Sequence, residues 1–72
     1  MSAKGDARRQ AILSHIISHT AAAGYPPTLR EIGDAVGLDA PGVSYHLGLL
    51  RDAGLVTWRP RVVRSVRVGG GG

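Results

Sequence analysis

The chain of 72 residues has no cysteine. No disulfide can staple it, and no thiolate is available to bind zinc or to act as a nucleophile. It also lacks long apolar runs, far short of the roughly 20 residues a membrane-spanning helix needs. The opening Met1-Ser2-Ala3-Lys4-Gly5-Asp6 has none of the apolar character of a secretory signal. These absences suit a cytoplasmic protein and exclude no membrane-free role. Length is short as well. A domain of this size buries only about 60% of its unfolded surface, so one small core and modest stability are expected.

Acidic residues are scarce, five against nine Lys and Arg, for a formal charge of +4. The shortage is uneven. From Arg51 onward the bases are Arg51, Arg59, Arg61, Arg64 and Arg67, and the only acid is Asp52. From Thr28 to Leu50, Arg30 stands against Glu31, Asp34 and Asp39. Arginine presents a rigid fork of donors that matches phosphates and guanine edges. A cationic end made of arginine therefore points towards a polyanionic partner.

Periodicity divides the chain into three helices and a hairpin. Asp6 is a suitable N-cap for a first helix reaching Ala23, and Gly24 can close it. Ile12, Leu13, Ile16, Ile17 and Ala21 form its apolar stripe. Tyr25-Pro26-Pro27 cannot continue a helix. Thr28 and Glu31 make a capping box that opens a second helix over Leu29–Val36, with Leu29, Ile32, Val36 and Ala35 inward. Gly37-Leu38 supplies a tight corner. Asp39 caps a third helix to about Ala53, where Val43, Leu47, Leu50 and Leu49 face the core and Gly54 ends the run. Alternation then predicts strands over Leu55–Arg59 and Arg64–Val68, with Pro60-Arg61-Val62-Val63 reversing the chain through a turn of undefined type. Met1–Gly5 and Gly69–Gly72 are expected to be disordered, leaving 6–68 as the domain.

Three helices, a glycine corner between the second and third, and a basic hairpin form the plan of a winged helix-turn-helix, a mainly α fold with a small β-hairpin. In that plan the second helix braces the third, whose N-terminal half enters a DNA major groove. The hairpin, or wing, brings cations to neighbouring phosphates. The competing reading is a winged-helix interaction module that binds an acidic protein surface.

Other chemistry is poorly supported. His15 and His19 have a metal-binding spacing on one helix, but a third ligand and the glutamate of HExxH are missing, so no metal or cofactor is expected. No acid is spaced to orient a histidine base, and the chain has little room for a substrate cavity, so no catalytic residue is assigned and an enzyme is not expected.

The stretch Gly24-Tyr25-Pro26-Pro27-Thr28-Leu29-Arg30-Glu31-Ile32-Gly33-Asp34-Ala35-Val36-Gly37-Leu38 resembles the LexA repressor family's DNA-binding domain, with its GYPP-(S/T)-x-REI-G-x-AVGL segment. Leu55-Val56 through Pro60, then Arg64 and Val66, is similar to that family's wing. The likeness covers roughly Arg9 to Val68. His46 to Val56 is a pattern common to winged helices generally.

Four departures accompany the resemblance. Asp39-Ala40-Pro41-Gly42 is one residue shorter than the usual entry to helix 3 and lacks its Ser/Thr-rich run. Trp58 stands where arginine is common, and Val63 where proline is common. The family's self-cleaving peptidase half is not matched, and Lys4 is the only lysine available for its Ser-Lys dyad.

The resemblance implies a transcription regulator, a repressor in the bacterial cytoplasm or nucleoid with a link to the SOS response. It implies base-reading positions on early helix 3. The candidate DNA-binding set is Thr28, Arg30, Ala40, Gly42, Ser44, Tyr45, His46, Arg59, Arg61 and Arg64. Ser44 can bond either base type, Tyr45 can meet a phosphate or a thymine methyl or pack beneath the wing, and His46 is divided between the core edge and DNA. The expected partner is double-stranded DNA, bound as a homodimer or with a separate dimerisation or regulatory partner.

Overall fold

The computed structural model describes residues 3–69 and contains α1 (Ala3–Ala23), α2 (Leu29–Val36), α3 (Ala40–Asp52), β1 (Val56–Thr57) and β2 (Arg67–Val68). The two strands pair antiparallel, Val56 opposite Val68 and Thr57 opposite Arg67. This is the expected winged helix-turn-helix of three helices and a hairpin.

Each element contributes its apolar face to one core. Ile12 and Ile16 come from α1, Ile32 from α2, Val43, Leu47 and Leu50 from α3, and Val56 and Val66 from the hairpin. Leu13, Leu29, Val36, Leu38 and Trp58 pack around it, partly buried. The core is narrower than the apolar pattern suggests. Ile17 is 55% exposed, Leu49 sits at the surface, and Ala21 and Ala35 are exposed. A chain this short cannot cover the full width of each stripe.

The corner between α2 and α3 depends on two glycines. Gly37 adopts φ 76°, the left-handed conformation that ends α2. The Gly33 carbonyl accepts from both Gly37 N (2.8 Å) and Leu38 N (2.9 Å). Gly33 is buried against this corner, and a Cβ there would collide with the Leu38 carbonyl oxygen. Helix 2 begins at the expected capping box: Glu31 N donates to Thr28 Oγ1, and Thr28 N donates to Glu31 Oε1. Helix 3 begins at Asp39, whose Oδ1 accepts from Gly42 N at 2.9 Å.

Three boundaries differ from the sequence expectation. Helix α1 starts at Ala3, not after an Asp6 cap. Asp6 lies in its first turn, where a carboxylate favours the helix dipole, and takes Arg9 Nη2 at 2.8 Å. The strands are two residues each, because Arg61 (φ 70°) and Arg64 (φ 56°) adopt left-handed backbone that bends the chain out of the ladder. Arg64, Ser65 and Val66 therefore belong to the wing loop. Gly69, expected in the loose tail, donates its amide to Leu55 O at 2.9 Å. The expected disorder of Met1, Ser2 and Gly70–Gly72 lies outside the described residues.

Candidate nucleic-acid interface

Helix α3 is two-faced where the sequence suggests base reading. Val43 and Leu47 are fully buried, whereas Tyr45 between them is 65% exposed and Ser44 is half-buried. Ala40 is exposed and Gly42 half-buried, so the first turn presents little side-chain bulk. Short side chains allow close backbone approach, and Tyr45 then projects beyond them. The Tyr45 ring is not beneath the wing; it meets the His46 ring edge-on at 5.3 Å.

His46 turns the other way, towards α1. Its Nδ1 lies 3.4 Å from Arg9 Nη1. The guanidinium can only donate, so Nδ1 is the acceptor and the neutral ring carries its proton on Nε2. Burial first, then the charges of Arg9 and Arg8, hold the His46 pKa below its ordinary value. His46 is thus a neutral contact between α3 and α1.

The wing and α2 bring a second group together. Thr28, Arg30, Ala40, Arg61 and Arg64 all line one groove of about 330 Å³ between the start of α2, the start of α3 and the wing. Its floor is largely apolar, with Leu29, Trp58 and Val63 among its lining residues. Gly42, Ser44, Tyr45, His46 and Arg59 are not part of it. Thr28 is engaged in the capping box, and Arg30, Arg59 and Arg61 are exposed. Among the described residues these three arginines have no acidic partner. A cation without an internal partner remains available to a phosphate.

Arg64 is differently placed. Its Nη1 donates to Glu31 Oε1 (2.9 Å) and Pro26 O (3.0 Å), Nη2 reaches Glu31 Oε2 (3.4 Å), and its guanidinium lies 4.6 Å from the centre of the Tyr25 ring. The Thr28 amide and then Arg64 hold the Glu31 carboxyl below the ordinary carboxylate pKa. The side chain is turned into the fold.

Sequence reasoning missed several neighbours of this surface. Arg51 lies 5.4 Å from the centre of the Trp58 ring, so the tryptophan is cation-stacked. Ser65 Oγ accepts from Arg59 N (3.1 Å) and donates to Arg59 O (2.9 Å), tying the base of the wing loop. Arg8 Nη1 reaches Gly37 O at 3.5 Å, beside the α2–α3 corner. The Arg8-Arg9 pair in the sequence was the available signal for a cationic end of α1, but its direction required the packing of α1. His15 and His19 are half-buried with rings 5.7 Å apart, and His19 Nε2 lies 4.0 Å from Glu31 Oε1; among the described residues no group of three metal-ligating side chains occurs.

The sequence model of a family described as "LexA DNA binding domain" matches residues 3–65. The chain is 39% identical over 66 residues to the LexA repressor of Ligilactobacillus salivarius, covering 90% of this chain and 32% of the relative. It is 46% identical over 66 residues to the LexA repressor of an Exiguobacterium species, with the same coverage of each. The LexA repressor of a Nocardioides species is 39% identical over 62 residues, 85% of this chain and 25% of the relative. The chain thus spans about a third or less of these relatives.

Proposed function

The chain belongs to the LexA DNA-binding domain family, and on that basis we propose that it binds double-stranded DNA sequence-specifically, as the reading domain of a transcriptional repressor. The observation that carries this proposal is the two-faced α3. Tyr45 stands out at 65% exposure between the fully buried Val43 and Leu47, on a helix braced by α2 through the Gly33–Leu38 corner. A helix anchored along one side and presenting polar groups on the other is what the major groove admits.

Within this proposal Ser44 and Tyr45 read base edges, while Ala40 and Gly42 let the helix seat closely. Arg30, Arg59 and Arg61 meet the backbone on either side, and Thr28 offers its hydroxyl at the N-terminus of α2. His46 supports α3 against α1 in this proposal rather than reading DNA, a role that its approach to Arg9 favours. The protein acts in the bacterial cytoplasm and reads a two-part site as a dimer with a second copy or through a separate dimerisation partner.

Selection from a random duplex pool tests the proposal. It should return a shared motif, and a repeated motif about one helical turn apart if two copies bind. A pool that shows no enrichment, with binding only to acidic proteins, would favour the interaction-module alternative.

A further inference from the structure

The hairpin is poorly equipped to hold its own direction. Its ladder has two residue pairs, and the nine residues between the strands contain two non-glycine residues with positive φ. A single isolated two-stranded hairpin is marginally stable in water. The exposed Arg59 and Arg61 sit on this loop, so their usefulness to a rigid duplex depends on whatever fixes it.

Val56 and Val66 seat the hairpin in the core, and Arg64 adds a polar tie from the loop to the α2 side of the fold. It joins the wing to the segment before and within α2, 33 residues away from Glu31 and 38 from Pro26. The partners of Arg64 are themselves tied to the fold. Glu31 is locked by the Thr28 capping box, Pro26 and Pro27 are buried, and Tyr25 covers the guanidinium. Three directions are thereby specified at once: along the carboxylate, towards a carbonyl, and against a ring face. Lysine, a point charge without a planar fork, cannot reproduce them. Three of the five Arg64 N–H donors are engaged within the protein, which leaves its head less free than Arg59 or Arg61 to serve as a phosphate contact.

We propose that Arg64 is a positioning residue for DNA binding, which sets the angle of the wing through Glu31, Pro26 and Tyr25 and so presents Arg59 and Arg61 to the DNA backbone without contacting DNA itself. This rests on the DNA-binding reading above. A loosened wing must be re-ordered at each binding event, and that ordering cost weakens affinity.

Glu31→Gln gives the sharpest test because two explanations predict opposite signs. Glutamine with its oxygen at the Oε1 position keeps the Thr28 amide bond, so the capping box survives; the bond from Arg64 Nη1 becomes neutral, and an NH2 replaces the oxygen facing Arg64 Nη2, so the charged latch is reduced to one weak bond. Removing an anion from a DNA-binding surface should by electrostatics alone tighten binding. Loss of positioning should weaken it, on the order of three- to tenfold. Arg64→Lys keeps the charge and should weaken binding to a similar degree.

The experiment titrates the selected duplex with wild type, Glu31→Gln and Arg64→Lys, each also in an Arg59→Ala/Arg61→Ala background. Thermal melts confirm that every variant is folded at the assay temperature, and amide exchange over 59–65 reports wing order directly. The expected result is weaker binding by both single variants, faster exchange in the loop, and no further loss when Arg59 and Arg61 are already absent. Tighter binding by Glu31→Gln, unaltered binding by Arg64→Lys, or losses that simply add to the arginine background would overturn the proposal. Failure of the wild type to bind any duplex would instead overturn the DNA reading on which it rests.

Discussion

Gly33 and Leu38 are in such close register at the α2–α3 corner that no side chain fits between them: a Cβ on Gly33 would run into the Leu38 carbonyl oxygen. The same Gly33 contributes the carbonyl that holds Gly37 and Leu38 in the turn. The direction of α3, and therefore of Tyr45, is set at this point.

Gly33→Ala should consequently lower stability by about 1–3 kcal/mol, the usual cost of forcing extra volume into a packed site. In a domain of this size that is a fall in Tm of about 4–8 °C for each kcal/mol. Gly48→Ala is the control, since nothing lies within 4 Å of its added Cβ. There the better helix former should raise stability by about 0.5–1 kcal/mol. Equal melts for the two variants would contradict the account of the corner.

The two faces of α3 should separate in the same assay. Leu47→Ala removes a fully buried side chain and should cost about 2–5 kcal/mol. Tyr45→Ala removes an exposed one and should change stability by about 0.5 kcal/mol or less. If Tyr45→Ala melts as early as Leu47→Ala, α3 is rotated from the orientation described.

Acid should destabilise the fold in two stages. His46 has its pKa held down by burial and by Arg9 and Arg8, and Glu31 has its pKa held down by the Thr28 amide and Arg64. For both, the unfolded chain binds protons more readily, so stability falls as pH falls. The His46 contribution is complete above its ordinary value of 6.5 and is lost below it as the pH passes the folded-state value. Glu31 behaves in the same way below 4.5. Thermal melts between pH 8 and 3 should show Tm declining in both ranges. In His46→Gln the upper stage should vanish; a Tm that rises from pH 7 to 5 would contradict the sign.

Much of this architecture was legible because local chemistry and packing agree. Thr28 and Glu31 announced the start of α2, Gly37 its end, and Val43, Leu47 and Leu50 the inner face of α3. The start of α1 was not legible, because Asp6 serves equally well as a cap or as a first-turn carboxylate. The wing strands were overextended for a related reason: alternating valines and arginines read as a ladder, while nothing local requires Arg61 and Arg64 to adopt positive φ. Within the candidate site, Ser44 and Tyr45 could be placed from helical periodicity alone. The diversion of Arg64 to Glu31 and of His46 to Arg9 depends on contacts 33 and 37 residues apart. Arg64 therefore read as one more wing cation.

Arg61→Ala should weaken binding about equally on specific and random duplexes and reduce the salt slope by about one unit, as loss of one phosphate contact does. Its side chain is exposed and lines the groove beside Arg30. Titrations at several salt concentrations check this. A changed preference at a single base pair would make Arg61 a base reader.

The central claim is that the exposed face of α3 reads DNA sequence. Its most direct measurement is the affinity of wild type, Ser44→Ala and Tyr45→Ala for the selected duplex and for a scrambled one at fixed salt. The account predicts that wild type prefers the selected duplex and that each substitution removes about 1–3 kcal/mol of that preference. Affinity for the scrambled duplex should change little, and the fold should remain intact. Retention of the full preference in both variants would contradict the claim and place the reading surface elsewhere on the protein.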